Sequence, residues 1–534
     1  MKQITVAGYI ASRLADFGVR YVFGVPGGPS IPYMEAFRSA GIDFILTSHE
    51  SSAAVMADVM ARLTGVPGVC HSTFGPGATN ISTGIGGAYL DRSPVIVLTS
   101  EMPDALIHRT VQMNIDHQQL FRSITSETFR LNPDNVCEVI NDAVRICFRE
   151  YPGPVHIGLP SDIADREFTG SHTQFVDAEI TESDMDVARI ISLLEKSRHP
   201  LLAIGLTAAR FCLRKRLQDF LDKYRIPVVL TPMAKGLVNH DHPCYAGVLF
   251  HALSDYLEGI IEKTDLVIGL GYDPVEYNYE SWIPDVPVVH LDTRITDMPD
   301  DHDIVQYRGM PEEWFRILGN LNAGSLVFES GVIKGIRDEM TSVFNGFLGH
   351  FGPVTVLNIL RDILPADTIL TFDVGSHLHL AGQYWFPDSP EKMIITNGWS
   401  SMGFGVPAAI SAKIAMPGST VVCVTGDGGF LMACGEIITA RRLNLPIIFL
   451  VLSDGELNLI KLKQGWKGLY PYATGIISEN LFGSDTFLGV KVYNVDTDEK
   501  LRSSIEKSLS LKELSIINAV IDPEDYKWLV VRQK

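Results

Sequence analysis

Apolar residues recur along this chain in two rhythms. Short, continuous β-branched runs at 21–25, 44–47, 69–73, 95–99 and 155–159 predict strands, and most of the intervening stretches carry apolar residues at helical spacing. A second set of runs follows at 201–205, 228–231, 266–271 and 288–291. A third occupies 368–373, 393–396, 420–425, 447–452 and 516–521. Strands that are apolar throughout, rather than alternating, belong to parallel sheets covered by helices on both faces. Three such groups predict an α/β protein of three doubly wound parallel-sheet domains.

Two stretches break the rhythm. Residues 168–186 and 319–331 are polar or irregular without a sustained period, and a new helical pattern begins after Phe351-Gly352-Pro353. The expected domains are therefore 1–170, 187–325 and 345–534. The opening residues read as a folded amphipathic helix and not as a signal peptide, because no long apolar core interrupts their helical spacing. The longest apolar stretch, 446–452, is far short of the ~20 residues that cross a bilayer.

Composition narrows the class. A chain of 534 residues suits three domains, and 46% hydrophobic with 20% charged residues is the balance of full cores, which excludes disorder and a small disulfide scaffold. With 44 basic against 63 acidic residues the net charge is −19. Such a surface repels nucleic acid and anionic membrane, so neither is expected as a partner, although one local basic pocket remains compatible with it. The seven cysteines are scattered, odd in number and without CxxC spacing; most stand beside apolar residues. They read as buried free thiols, in keeping with a cytoplasmic protein.

The most specific chemistry is Gly426-Asp427-Gly428-Gly429, at the end of one predicted strand and leading into a helix, with Asp454 following 27 residues after Asp427 at the end of the next. Ligands bind at the carboxyl ends of parallel strands. Glycines let backbone amides approach a phosphate at a helix start, and two carboxylates with phosphate oxygens form a site for Mg²⁺. Taken alone, the glycine run is equally well a strand-to-helix turn; Asp454 at a matching strand end is what favours the metal. A second signal is Glu50, which opens a small-residue helix after Thr47-Ser48-His49. By itself such a Glu is more often a dipole-compensating residue.

These residues together resemble the thiamine diphosphate enzymes, and most closely the flavin-free, catabolic acetolactate synthase-like branch. The metal-diphosphate signature of that family is GDG followed at this spacing by Asn, where this chain has Asp454, as some flavin-free members do. The resemblance implies that Gly426, Asp427, Gly428 and Gly429 cradle the diphosphate of thiamine diphosphate. It also implies that Asp427, Asp454 and the backbone carbonyl of Glu456 hold Mg²⁺. It makes Glu50 the carboxyl group that shares a proton with the aminopyrimidine ring, so that the cofactor's amino group can take the thiazolium proton. Further stretches agree in order: Val25-Pro26-Gly27-Gly28, Gly75-Pro76-Gly77-Ala78-Thr79-Asn80, Asp91-Arg92-Ser93-Pro94, Asp373-Val374-Gly375-Ser376-His377 and Asn397-Gly398-Trp399-Ser400-Ser401-Met402-Gly403. By the same resemblance Gly27, Gly75 and Asn80 lie on the pyrimidine side and Ser376 and His377 on the diphosphate side. The resemblance further implies that Ser400 and Met402 make backbone contacts to the aminopyrimidine, with Met402 propping the cofactor into its bent shape.

The resemblance also bears on substrate. Ile460, six positions after Asp454, stands where carboligating members have an apolar residue, which favours joining the two-carbon unit to a second carbonyl. Gln112 falls near a glutamine over the reacting centre, with an uncertainty of one residue; a surface Gln is the alternative. Lys463 stands where biosynthetic relatives carry a Trp that selects the acceptor, and either binds an anionic group on a larger acceptor or is simply solvated. His71 resembles the active-site histidine of benzoylformate decarboxylases, or is a hydrogen-bonded core residue. The expected reaction is decarboxylation of a pyruvate-like 2-oxo acid with carboligation, in a homodimer or homotetramer whose sites lie between chains. FAD is not expected, since residues 190–320 resemble the flavin-free branch. The alternatives are a non-ligating 2-oxo acid decarboxylase, a transferase resembling carboxyethylarginine synthase, and a non-catalytic homologue.

Overall fold

The computed structural model describes residues 4–169, 186–298, 302–477 and 480–529. Its backbone is organised around three sheets. The first holds β1 (Tyr21–Val25), β2 (Asp43–Leu46), β3 (Gly68–Ser72), β4 (Val95–Glu101), β5 (Glu127–Arg130) and β6 (Val155–Pro160), in the order β2-β1-β3-β4-β6-β5. The second holds β7 (Pro200–Ile204), β8 (Val228–Leu230), β9 (Tyr245–Val248), β10 (Leu266–Leu270), β11 (Val288–Asp292) and β12 (Ile304–Arg308), in the order β12-β11-β10-β7-β8-β9. Every neighbouring pair in both sheets is parallel.

The third sheet comprises β13 (Ile369–Phe372), β14 (Met393–Ile394), β15 (Val421–Gly426), β16 (Ile448–Ser453), β17 (Thr486–Phe487), β18 (Val490–Val495) and β19 (Ser515–Val520). Its order is β14-β13-β15-β16-β19-β18-β17, parallel except for the β17–β18 edge pair. The chain is thus an α/β protein of three parallel-sheet domains, because fully apolar strands need helices on both faces. Of the two expected boundaries, the first falls mostly outside the described residues. After the second, the helix Ser330–Asn345 packs beside β9 and joins Ile333, Ile336, Met340 and Phe344 to the apolar cluster shared by the second and third domains.

Alternate residues of a strand point to opposite faces, and the third sheet uses both. Cys423, Phe449, Val451 and Ile516 join the cluster that contains Phe23, Ala53 and Ile85 of the first domain. Val422, Val424, Leu450 and Ile517 join the cluster that contains Leu201, Val267 and Tyr272 of the second. The helix Glu50–Thr64 packs on the helix Gly405–Ala415, where the Ser411 hydroxyl donates to the Met56 carbonyl at 2.6 Å. All seven cysteines are free; five are buried, Cys434 is half-buried and Cys212 is exposed. Among the described residues no helix is long and apolar enough to cross a membrane.

Candidate active site

The strands β15 and β16 are neighbours in register from Val422–Ile448 to Gly426–Leu452, so Asp427 and Asp454 leave the same edge of the sheet side by side. The Asp427 carboxylate accepts from its neighbour Gly428 N at 2.8 Å and from Gly455 N at 2.7 Å, which joins the two strand ends. Gly455 turns with φ +76°, a conformation that favours glycine, and Asp454 accepts from Glu456 N at 3.1 Å. Burial, and after it the Asp427 charge, pushes the Asp454 pKa up to about 7; burial also raises that of Asp427. A buried carboxylate beside a half-buried one that it repels is a donor set suited to a divalent cation. The Glu456 side chain is paired with Lys461, so its carbonyl, not its carboxylate, is the group left for a ligand.

Polar atoms without partners surround this edge. Ser376 Oγ and His377 Nε2 are buried and make no hydrogen bond, and the His377 ring stands against Gly426, 3.6 Å from where a Cβ would be. A Cβ on Gly428 would come within 3.1 Å of the Met402 methyl, so Met402 and the glycine run meet as the motifs suggest. Ser400 has a left-handed backbone, φ +50°, and its hydroxyl donates to Asn397 O at 2.6 Å. Orphaned donors, a glycine cradle and paired carboxylates fit a diphosphate with its metal. Ile460 and Lys463 lie further along the helix Asn458–Trp466; Ile460 is 46% exposed. Lys463 is exposed and close enough to His379 to help burial lower that histidine's pKa to about 4.

The second group of residues gathers on the first sheet. Glu50 opens its helix only 8% exposed, and its Oε2 accepts from Asn80 Nδ2 at 3.0 Å. A Cβ on Gly77 would lie 3.5 Å from Glu50 Oε1. Gly75, at φ +63°, caps the helix Pro76–Leu90 and would strike the Met113 carbonyl at 2.7 Å if it carried a Cβ. Thus Met113, next to the exposed Gln112, is the residue that lies on this loop. Gly27 packs against Thr73 and donates to Ser30 Oγ at 3.0 Å. His71 is wholly buried in β3, its Nε2 is 2.7 Å from Ser30 Oγ, and burial lowers its pKa to about 4. The structure therefore ties His71 to the Gly27–Ser30 loop.

Three acidic residues hold the two groups in place; motif reading quoted Asp373 and Asp91 within matching stretches without giving them a role, and passed over Glu436. Asp373, at the end of β13, accepts from Val374 N at 2.7 Å, Gly403 N at 2.9 Å and Thr425 Oγ1 at 3.2 Å, which fixes the Met402 loop to β15. Asp91 accepts from Thr396 Oγ1 at 2.6 Å and Gly398 N at 2.8 Å, and pairs with Arg62 at 2.9 Å. Glu436 accepts from Ser48 N at 2.8 Å and His49 N at 3.0 Å, gripping the backbone just before Glu50. A cavity of about 290 Å³ runs between the halves, lined by Ser51, Ser52 and Asn80 on one side and Met402, Gly403 and Met432 on the other.

Residues 4–120 match the N-terminal TPP binding domain of the thiamine pyrophosphate enzymes, 187–312 their central domain and 373–519 their C-terminal TPP binding domain. The chain is 28% identical to a probable acetolactate synthase large subunit of Methanocaldococcus jannaschii, over 97% of this chain and 92% of that one. It is also 28% identical to the acetolactate synthase isozyme 2 large subunit of Escherichia coli, over 98% and 97% of the two chains. With the acetolactate synthase of Bacillus subtilis the identity is 26%, over 97% and 93%. The matched domains contain both strand-end groups described above. This chain belongs to the thiamine pyrophosphate enzyme family, as a thiamine pyrophosphate-dependent enzyme similar to the acetolactate synthases.

Proposed function

We propose that the enzyme decarboxylates a pyruvate-like 2-oxo acid and joins the two-carbon unit to a second carbonyl compound, with Mg²⁺ holding the cofactor's diphosphate. The observation that carries this reading is the pair Asp427 and Asp454 at adjacent strand ends, beside the unpartnered Ser376 Oγ and His377 Nε2. When bound, thiamine diphosphate supplies a nucleophilic carbon that accepts the acyl unit and stores the electron pair left by CO₂. The chain's own residues do the rest. Glu50, held by Asn80, would hold a proton at the pyrimidine nitrogen; Met402 and the glycine run would set the cofactor's shape; Ile460 would supply apolar bulk near the reacting carbon, which would disfavour protonation there.

We give His71 no part in the chemistry, because its ring is buried and engaged by Ser30. In this reading no flavin takes part, an expectation that rests on the likeness of residues 190–320 to the flavin-free branch. A second reading, in which the acceptor carries an extra carboxylate or phosphate, is favoured by Lys463 and its nearness to His379. In this reading the enzyme is cytoplasmic, as its free, mostly buried thiols suit. It works as a dimer or a dimer of dimers, supported by the exposed apolar residues Leu431, Met432, Ile438 and Trp399 around the cavity and its helices.

Product analysis after incubation with pyruvate, thiamine diphosphate and Mg²⁺ tests the proposal. Acetolactate is the expected product. Acetaldehyde alone would replace ligation by simple decarboxylation, and absence of turnover would remove pyruvate as the donor.

A further inference from the structure

Behind the Gly75 loop, polar side chains run through the interior of the first domain in an order that leaves no freedom of direction. Gln118 Nε2 donates to Glu101 Oε1 at 2.7 Å and to the Phe129 carbonyl at 3.1 Å, and a carbonyl only accepts, so the amide orientation is set. Gln118 Oε1 must then accept from Thr128 Oγ1 at 2.7 Å. That spends the single Thr128 hydroxyl proton, so His156 Nδ1, 2.7 Å away, is the donor to Thr128. In a neutral imidazole the other nitrogen accepts, and His156 Nε2 takes the Thr99 hydroxyl proton at 2.8 Å. His117 Nδ1 in turn donates to Thr99 at 2.9 Å, and His117 Nε2 accepts from the Gly75 backbone amide at 3.3 Å.

We propose that His117, Thr99, His156, Thr128 and Gln118 form a one-way hydrogen-bond relay that fixes the Gly75 amide and thereby positions the loop and helix start on which Glu50 rests. Every proton is donated toward Glu101, which is buried and paired with Arg130 at 2.9 Å, so each bond polarises the next in the same sense. The Gly75 end matters because Gly75 caps the helix Pro76–Leu90, whose first turns carry Gly77 and Asn80 against the Glu50 carboxylate. These are positioning residues, and the inference rests on the role proposed for Glu50. Glu101, His117 and His156 also bring ligand atoms within 4.8 Å of one another, a spacing that suits a metal ion. The relay already uses both nitrogens of each ring, which favours the hydrogen-bonded arrangement over a metal.

The test uses the full-length holoenzyme. Thr99→Val keeps the side-chain shape and removes the bridging hydroxyl; Thr99→Ser restores it; His117→Asn keeps a donor toward Thr99 but cannot reach Gly75. Hydrogen–deuterium exchange of the peptide spanning the Gly75 loop, thermal midpoints, thiamine diphosphate affinity and kcat are measured for each. The relay predicts faster exchange in that peptide for Thr99→Val and His117→Asn. It also predicts kcat lowered roughly ten- to a hundredfold with a smaller change in cofactor affinity, and recovery of both in Thr99→Ser. Unchanged exchange in Thr99→Val, or a Thr99→Ser protein as impaired as Thr99→Val, overturns it, as does one equivalent of zinc that survives dialysis in the wild type. If Thr99→Val does not fold, the comparison of His117→Asn with wild type decides by the same readouts. Exchange needs no turnover, so an exchange response in a protein inactive on every 2-oxo acid supports the clamp while the proposed reaction fails.

Discussion

A carboxylate at the first turn of a helix either compensates the helix dipole from solvent or is held for a purpose, and the neighbours of Glu50 decide between these. Asn80 donates to one oxygen and Gly77 crowds the other, at 8% exposure, where a dipole-compensating Glu would face water. Glu50→Gln preserves the size and leaves an oxygen for Asn80. It should therefore keep the fold and most cofactor binding while slowing thiazolium proton exchange by about 10²–10⁴. Exchange followed by quenched-flow NMR at the wild-type rate would strip Glu50 of this role. Asp427→Ala removes the acceptor shared by Gly428 N and Gly455 N and leaves Asp454 alone to face the metal. Cofactor should no longer be retained, and titrations with and without Mg²⁺ should coincide; tight, Mg²⁺-dependent binding by the variant would show the metal to be elsewhere. Motif reading could point to Asp427, because its partners follow it at short, fixed spacing. It passed over Glu436, whose partners Ser48 and His49 are nearly four hundred positions away.

The strands that periodicity located are mostly interior ones, and those it missed lie at the margins. Glu127–Arg130 and Ile304–Arg308 each end a sheet and keep partly exposed residues, so their apolar runs are broken. Thr486–Phe487 and Val490–Val495 form the antiparallel border of the third sheet for the same reason. Tyr245–Val248 is buried, but it is four residues long with a glycine and a register shift, and no β-branched run marks it. Interior strands have to be apolar on both faces, whereas border strands do not, and the sequence signal fades accordingly. Joints between elements are equally silent. Asp91 ends the helix Pro76–Leu90 and collects Arg62, Thr396 and Gly398, joining two domains through one buried carboxylate. Asp91→Ala would remove one of the two carboxylates on the half-buried Arg62 guanidinium and leave the Thr396 hydroxyl and the Gly398 amide short of an acceptor, and should lower unfolding stability by about 1–3 kcal/mol in urea titrations. A loss below 1 kcal/mol would mean that water or Asp58 substitutes for it.

For the assembled enzyme the main question is whether Glu50 and Asp427 of one chain serve the same cofactor. If each chain lends its Glu50 to one site and its Asp427 to another, mixing inactive Glu50→Gln chains with inactive Asp427→Ala chains should restore activity, since a mixed dimer contains one intact site. No recovery, with chain exchange demonstrated independently, would mean that each site is built within one chain. The packing of the helix Glu50–Thr64 on the helix Gly405–Ala415 bears on how such a protein comes into being. Ala53, Ala54, Met56 and Met60 share an apolar cluster with Val406, Ala409 and Ile410, yet about 340 residues of chain separate the two helices. At ~5–20 residues per second, a ribosome needs roughly 20–70 s to make that intervening length. Throughout that interval the nascent first domain has a greasy flank with no lid of its own, so every newborn copy needs either a chaperone's cover or dilute surroundings until its last third emerges.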